Sequence, residues 1–500
     1  MNTWNLLLQG FITCLQPINL IYCFAGGCMG VVVGALPGLG SIAGTALLLP
    51  LIYSMNPTAA LIMLAALYYG NMFGGAISAI LINIPGDAPA VMTALDGYPM
   101  TKKGLAGQAL FTAFVASGIG GFIGAVLLTF LGSAMASIGL KFGSAETAML
   151  ILVAMTSIGW ILGENPVKGL VATGLGLLLA CVGLDSQLGG TRLTFGLFYL
   201  MAGIPFIPTI IGLFGFAQVI RTMVEGIHKK QEVKLGKITY RSSLPSKSEW
   251  KRVLPSIGRG SILGFVIGMM PGSGATTAAF LSYITEKRIN RRKAEMGTGI
   301  PEGVAVSESA NNAASIGAFA PMLSLGIPGS GTTAVLLGAL MMLGLQPGPL
   351  FMTQNPQFTW ALIASMFLGD IMIMVLCLVS IPVLVYLLKV PNTILVPIIL
   401  CVSIIGAYCV NNNVTDIYVM IIFGVIGYFF MRFELSLVPI VLSMVLCSTL
   451  ETAIRQSFTI SNGSVSIFFN RPISLGLFIA GLVFILLPVV LNMLKKKKIK

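Results

Sequence analysis

Apolar segments long enough to cross a lipid bilayer recur along most of this 500-residue sequence. A helix needs about 20 predominantly apolar residues to cross the hydrocarbon core. Runs of that kind include Phe111–Met135, Trp360–Leu388 and Ile473–Leu494. Because the bilayer core offers no water to unpaired backbone groups, such segments are expected to be helical. We predict an all-α integral membrane protein with about ten to twelve transmembrane segments.

The composition and the distribution of charge agree with this class. The chain is 56% hydrophobic and only 9% charged, against roughly 25% charged residues in soluble domains. Its formal charge of +13 comes largely from clusters of Lys and Arg within 221–259, 287–293 and 495–500. Short basic loops mark the cytoplasmic side of a membrane protein. The charge therefore predicts orientation and contact with anionic lipid, not nucleic-acid binding.

Other sequence features argue against an enzyme. Met1 to Gln16 lacks the basic start and cleavage site of a signal peptide, so we take it as part of the mature chain. The eight cysteines lie in apolar stretches without metal-ligand spacing and are expected to be small core residues. The single histidine, His228, lies in the basic segment, which leaves no His-based catalytic or metal site. We expect no enzyme activity, no cofactor and no metal beyond a sodium ion.

Two glycine- and proline-rich motifs occur in the same order on both sides of the polar segment 221–259. Gly30-x3-Gly34-x2-Pro37-Gly38-x-Gly40 returns as Gly264-x3-Gly268-x2-Pro271-Gly272-x-Gly274, 234 residues later (271 − 37). Ile84-Pro85-Gly86 returns as Ile327-Pro328-Gly329, 243 residues later (328 − 85). The basic loop 286–295, which has no counterpart in the first half, accounts for the nine-residue difference. We predict a first membrane repeat at 1–220, a basic cytoplasmic linker at 221–259, a second repeat at 260–432, and C-terminal membrane segments with a basic cytoplasmic tail at 433–500.

The Pro-Gly pairs predict breaks in membrane helices. Proline lacks an N–H and clashes with the preceding helical turn, while glycine adopts dihedral angles closed to other residues. Non-helical backbone at membrane depth has to be buried in protein or line a cavity, and matched breaks in two halves indicate the binding site of a secondary transporter. A helix that restarts there points its N–H groups and a partial positive charge at the cavity, which suits an anion. The predicted substrate-binding residues surround the four breaks: Pro37, Gly38, Gly40, Ser41, Pro85, Gly86, Pro271, Gly272, Ser273, Gly274, Pro328, Gly329, Ser330 and Thr332.

Charge placement around the third break predicts its topology. Ser261–Thr285 has basic clusters on both sides, at Lys251–Arg259 and Lys287–Lys293. A re-entrant hairpin that turns at Pro271-Gly272 keeps both clusters in the cytoplasm, whereas a simple span does not. The chain from Met1 to Gly86 carries no charge, as expected if the matching hairpin opens to the other side. We therefore favour inverted repeats over parallel ones.

Isolated polar residues between the breaks are candidates for an ion or polar site. They lie among small residues: Asn71, Asp87, Glu308, Asn311 and Asn312. An ionisable group at membrane depth, such as Glu308, indicates function. Asp87 follows a Pro-Gly break directly, so we expect it to cap the next helix or to bind a cation. We assign no role to Asp370 and the other isolated acidic residues.

Together these motifs resemble the large membrane subunit of the tripartite tricarboxylate transporters. The resemblance covers about Tyr22 to Arg432 and rests on Gly34-Ala-Leu-Pro-Gly-Leu-Gly40, Asn83-Ile-Pro-Gly86, Leu95-Asp-Gly-Tyr-Pro99, Met270-Pro-Gly-Ser-Gly274 with Ser282-Tyr283, Glu308-Ser-Ala-Asn-Asn312 and Leu325-Gly-Ile-Pro-Gly329. It implies a bacterial inner-membrane permease that works with a small membrane subunit and a periplasmic binding protein. It also implies uptake of a carboxylate such as citrate, driven by an ion gradient, with sodium as the expected ion. Asp87 with Pro89, and Ser307, depart from the usual pattern and leave the substrate open.

Three alternatives remain open at this point. A stand-alone secondary carrier would transport without a binding protein. An intramembrane enzyme would need a nucleophile and a base at depth. A channel is disfavoured, because paired helix breaks imply an enclosed site near the middle of the membrane.

Overall fold

The computed structural model describes residues 3–36, 38–52, 55–139, 141–161, 166–185, 189–225, 243–384 and 392–483. Pro37, residues 226–242 of the predicted linker, which include His228, and the basic tail 495–500 lie outside the described residues.

The described part of the chain is almost entirely helical, which confirms the all-α prediction. Up to the linker the helices are α1 Thr3–Cys14, α2 Pro17–Ala35, α3 Gly40–Ile52, α4 Pro57–Ile82, α5 Val91–Lys102, α6 Ala106–Gly139, α7 Ser144–Ile161, α8 Pro166–Ala180, α9 Phe206–Ile210 and α10 Ala217–Glu225. A 3-10 turn at Ala88–Ala90 precedes α5, and a π-helical turn at Ile211–Phe216 joins α9 to α10. The strands β1 Gly183–Leu184 and β2 Thr191–Arg192 form a two-residue antiparallel pair.

The second part of the chain is also built of long and short helices. Its helices are α11 Lys247–Gly268, α12 Gly274–Ile289, α13 Pro301–Gly317, α14 Phe319–Leu325, α15 Gly331–Met342, α16 Phe351–Gln354, α17 Pro356–Ser380, α18 Asn392–Asn411, α19 Val414–Arg432, α20 Val438–Ile460, α21 Ile467–Asn470 and α22 Pro472–Val483.

Seven of the described helical segments are long and apolar enough to cross a membrane. They are α2, α4, 106–132 of α6, 206–224, α17, α19 and α20. Six shorter apolar helices accompany them, including α3 and α15, which follow the first and the fourth predicted break. The protein is thus an integral membrane protein of many helices, while the predicted total of about ten to twelve spans stays a prediction.

Glycines on α2 and α11 let each helix lie directly against the backbone of a partner helix. A Cβ added at Gly26, Gly30 or Gly34 would collide with the carbonyls of Met63, Leu67 and Asn71 on α4. A Cβ added at Gly260, Gly264 or Gly268 would meet those of Val306, Ala310 and Ala314 on α13 in the same way. Small residues four apart permit this close approach in membrane helices. We call these two contacts the glycine seams.

The two glycine seams have the same spacing as the sequence motifs. Gly264 follows Gly30 by 234 residues (264 − 30), and Ala310 follows Leu67 by 243 residues (310 − 67). The contact of Gly30 with Leu67 and that of Gly264 with Ala310 are therefore related by the same two offsets, 234 and 243 residues, as the sequence motifs. The two related halves and their inverted relation stay predictions, with which this spacing agrees.

Helices α11 and α12 form the hairpin predicted around Pro271-Gly272. They pack against each other, and the Arg259 guanidinium in the middle of α11 donates to the buried carboxylate of Glu286 near the end of α12 at 2.6 and 2.7 Å. At the start of α11, Ser246 and Glu249 form a capping box. Partial burial acts to raise the pKa of Glu249, but hydrogen bonds from Ser246 outweigh it and hold that pKa below its ordinary value.

Candidate substrate site at four helix breaks

Helices are interrupted at all four Pro-Gly positions. The interruptions lie between Ala35 and Gly40, between Ile82 and Val91, between Gly268 and Gly274, and between Leu325 and Gly331. Left-handed residues provide the turns: Gly38 and Gly40 at the first break, Asn83 at the second, Gly272 and Gly274 at the third and Gly326 at the fourth. Glycine has no Cβ to oppose positive φ, which explains why this residue type recurs there.

The first and second breaks meet at Asp87. Its Oδ2 accepts hydrogen bonds from the Ser41 N–H at 3.0 Å and from the Asn71 side chain at 2.6 Å. Its Oδ1 accepts from the Ala88 N–H at 2.8 Å. Asp87 therefore caps the next helical turn, one of its two predicted roles. It also places a carboxylate at the N-terminus of α3, where the sequence analysis expected an anion to bind.

The fourth break connects the first and the third. The Thr332 hydroxyl donates to the Ser41 hydroxyl at 2.9 Å, and the Gly274 N–H donates to the Gly329 carbonyl at 3.2 Å. The Tyr68 hydroxyl donates to Ser330 Oγ at 3.0 Å. The bonds of Thr332 and Tyr68 join segments from the two halves of the chain, while the bond from Gly274 to Gly329 lies within the second half. The predicted site residues at the four breaks are thus brought together, Pro37 excepted because it lies outside the described residues.

The hydroxyl residues at the breaks serve different purposes. Ser330 caps α15, with Thr333 completing the capping box. Ser273 does not cap α12; its hydroxyl donates to the carbonyls of Ile267 and Met270 at the end of α11. Ser330 therefore caps the N-terminus of α15, and Ser273 bonds to the carbonyls at the C-terminus of α11. Of the predicted hydroxyl ligands, Ser41 lies next to open space.

A cavity of about 420 Å³ opens beside the first two breaks, within the roughly 300–1,000 Å³ of small-molecule sites. Its lining combines the two breaks with the π-helical turn: Gly38, Leu39, Gly40, Ser41, Ile42, Ala43, Pro85, Gly86, Asp87, Ala88, Val91 and Phe214. Asp87 is the charged residue of this lining. The residues of the third and fourth breaks do not line the cavity. The fourth break is connected to it by the hydrogen bond from Thr332 to Ser41, which is a lining residue.

Glu308, Asn311 and Asn312 form a second polar cluster inside the bundle. The Glu308 carboxylate is fully buried and accepts hydrogen bonds from Thr93 and, at 2.9 Å, from Ser117. The Asn312 amide donates to the Glu308 carbonyl at 3.1 Å and to Asn311 Oδ1 at 2.7 Å. Asn312 Oδ1 has no hydrogen-bond donor among the described residues. The cluster offers oxygen atoms of the kind that alkali cations bind.

Sequence reasoning missed Asp96 and Phe214. Asp96 is fully buried and accepts from the Tyr283 hydroxyl at 2.8 Å and from the N–H groups of Gly297, Gly299 and Ile300. Asp96 lies on α5 and caps the backbone N–H groups just before the start of α13. Gly297 and Gly299 just before Pro301 were a usable signal for an N–H cradle. No sequence signal pointed to Phe214, because its place on the cavity wall depends on the π-helical turn.

The fold and this site define a multi-span helical membrane protein whose broken helices share one polar centre, which is the construction of a secondary transporter. Residues 20–442 match the family described as "Tripartite tricarboxylate transporter TctA family", and the chain belongs to that family. The resemblance seen in the sequence motifs is thereby confirmed.

Two proteins of Agrobacterium vitis are similar to this chain. One, named "Uncharacterized 52.8 kDa protein in TAR-I ttuC' 3'region", is 38% identical over 492 residues, which cover 98% of this chain and 97% of that protein. The other, "Uncharacterized protein in TAR-II ttuC' 3'region", is 38% identical over 234 residues, 47% of this chain and 97% of that protein. No solved structure matches the chain.

Proposed function

We propose that this chain is the permease of a binding-protein-dependent tripartite transporter that takes up a small carboxylate, such as citrate or another di- or tricarboxylate, across a bacterial inner membrane. Its partners are a small membrane subunit and a periplasmic binding protein that delivers the substrate. The gradient of a cation, sodium, drives uptake. The basic linker 221–259 and the C-terminal tail lie on the cytoplasmic side.

The observation that carries this proposal is the meeting of the helix breaks. Ser41 N–H, Ser41 Oγ and the cavity lie at one point where the first, second and fourth breaks touch. Backbone N–H groups at helix starts and hydroxyls bind carboxylates without a lysine or arginine; in this conformation Asp87 accepts from the Ser41 N–H, and a substrate carboxylate would take its place. Membership of a tricarboxylate transporter family supports the same substrate class.

Asp87 supports coupling to a cation. A substrate carboxylate about 4 Å from the Asp87 carboxylate would meet a repulsion of about 4 kcal/mol at an effective dielectric of 20. A sodium ion bound beside Asp87 neutralises its charge and removes this repulsion. Asn71 Oδ1, which has no hydrogen-bond partner among the described residues, supplies a neighbouring neutral oxygen. Sodium and carboxylate would then each raise the affinity for the other, as linkage requires.

The test is uptake of labelled di- and tricarboxylates into vesicles that contain this chain with its small subunit and binding protein, with and without a sodium gradient. We expect uptake that requires sodium, and in Asp87→Asn a half-saturating sodium concentration raised roughly tenfold or more. Glu434→Gln is the control, because that exposed carboxylate is paired with Lys168 at the surface and such pairs contribute little.

Two outcomes would overturn parts of the proposal. Sodium-independent uptake by the wild type would remove sodium as the coupling ion. Full uptake without the binding protein would make the chain a stand-alone carrier.

A further inference from the structure

Asp370 is a fully buried carboxyl group in the middle of the membrane-spanning helix α17. Neither of its oxygens has a hydrogen-bond partner among the described residues. Glu308, another fully buried acid, accepts two hydroxyl donors by comparison. Asp370 belongs neither to the cavity nor to the Glu308 cluster. The role proposed for the substrate site therefore leaves it unexplained.

The described helices that pack against the helix of Asp370 provide no charge to balance a carboxylate. The helices packed against α17 are α1, α2, α4, α6 and the short α16, and none of them contains Asp, Glu, Lys, Arg or His. Apart from Asp370 itself, the titratable side chains on these helices and on α17 are phenols and thiols: Cys14, Tyr22, Cys23, Cys28, Tyr68, Tyr69 and Cys377. The Tyr69 hydroxyl, beside Gly369, donates to the Ser365 carbonyl at 3.3 Å and so is engaged elsewhere.

Helix α6 contacts both Asp370 and Glu308. Its Gly121 lies directly against Asp370, and a Cβ at that position would collide with the carboxyl group; Gly118 packs in the same way on Met374 of α17. Ser117 donates to Glu308, and Gly120 lies against the backbone of Ser309 on α13. Neighbouring faces of one helix, within about one turn, therefore contact Asp370 and Glu308.

A carboxylate without hydrogen bonds or a counter-charge is so unfavourable in such a place that the group takes up a proton instead. We propose that Asp370 is a proton-binding site, neutral in this conformation and able to release its proton when the packing of α6 and α17 opens to water. Release breaks the carboxyl O–H bond, passes the proton to water and leaves a carboxylate; binding is the reverse. The neutral state in this conformation is independent of the substrate, whereas coupling of the proton to transport rests on the proposed function.

Infrared spectroscopy of the purified full-length chain tests the neutral state. A protonated carboxyl group shows a carbonyl stretch separate from that of a carboxylate. We expect this band at neutral pH, its complete loss in Asp370→Asn, and its shift in wild-type protein that contains isotopically labelled aspartate. Glu308→Gln is the matched control and should leave the aspartate-labelled band in place. Absence of any label-sensitive band at neutral pH would overturn the proposal, and this readout holds even if Asp370→Asn does not fold.

Uptake measurements test the coupling separately. In vesicles, we expect wild-type carboxylate uptake to rise with an inward proton gradient and uptake by Asp370→Asn to be insensitive to it. An unchanged response to the proton gradient in Asp370→Asn would overturn coupling through this residue. Failure of the wild type to move any carboxylate would refute the proposed function, while the infrared result would still decide the protonation of Asp370.

Discussion

The hydroxyl of Thr332 donates a hydrogen bond of 2.9 Å to the hydroxyl of Ser41, across 291 residues of sequence. Thr332 lies in the first turn of α15 and Ser41 in the first turn of α3. Two helices that restart after Pro-Gly breaks in different halves of the chain thus meet at their N-termini. The positive ends of both helices are directed at one place, which favours an anion there.

Removing the bond between Ser41 and Thr332 should weaken carboxylate binding. We expect Ser41→Ala and Thr332→Val each to raise the half-saturating carboxylate concentration, with a coupling of about 1 kcal/mol, a factor of about five, in the double-mutant cycle. The measurement is sodium-driven uptake at varied substrate. Ser457→Ala is the control, because that buried hydroxyl bonds only within α20. Strict additivity of the two changes would argue against a shared site.

Methyl groups placed in the glycine seams should destabilise the protein. Gly30→Ala and Gly264→Ala each push a Cβ into the facing helix backbone, at a cost of about 1–3 kcal/mol for overpacking. Thermal unfolding in detergent should show both variants melting earlier than the wild type. Gly258→Ala lies on the same helix as Gly264, with nothing within 4 Å of its added Cβ, and should melt like the wild type. Equal midpoints for Gly258→Ala and Gly264→Ala would contradict the observed seam.

Glu308→Gln should impair the ion step while leaving the fold intact. The amide keeps the size of the side chain, and the Thr93 and Ser117 hydroxyls can reorient toward it. Loss of the charge should raise the sodium concentration that gives half-maximal uptake roughly 10- to 100-fold, the equivalent of about 1.5–3 kcal/mol. Glu302→Gln on the same helix is the comparison. It breaks ion pairs with Arg252 and Arg292 and should lower thermal stability without changing the sodium requirement. An unaltered sodium requirement in Glu308→Gln would exclude it from the ion site.

Asp96→Asn should be strongly destabilising. The carboxylate accepts one hydroxyl and three backbone N–H donors, and an amide cannot accept from all of them. We expect a loss of about 3 kcal/mol for Asp96→Asn and about 1 kcal/mol for Tyr283→Phe, which removes one donor. The order of their unfolding midpoints checks this. A Tyr283→Phe protein less stable than Asp96→Asn would refute the account.

Local features of the fold were predictable from the sequence, and long-range ones were not. Pro271-Gly272 and Pro328-Gly329 end helices through their own backbone chemistry, so the breaks and the repeat follow from spacing alone. The bond from Ser41 to Asp87 spans 46 residues and depends on how α2 packs on α4. Asp370 looked like an ordinary packing residue, because its lack of partners becomes visible only when the neighbouring helices are in place.

The glycine seams also bear on which parts can move separately. Backbones in direct contact cannot slide past each other without separating, so α2 with α4, and α11 with α13, are expected to travel as blocks. Near the site, single hydrogen bonds such as those from Thr332 to Ser41 and from Tyr68 to Ser330 join residues of the two halves. A cysteine cross-link from α2 to α4 should therefore leave uptake intact, and one from Ser41 to Thr332 should stop it. Transport would then depend on a few hydrogen bonds between the halves that can break and re-form. The rigidity of each block would come from glycines, which have no side chain.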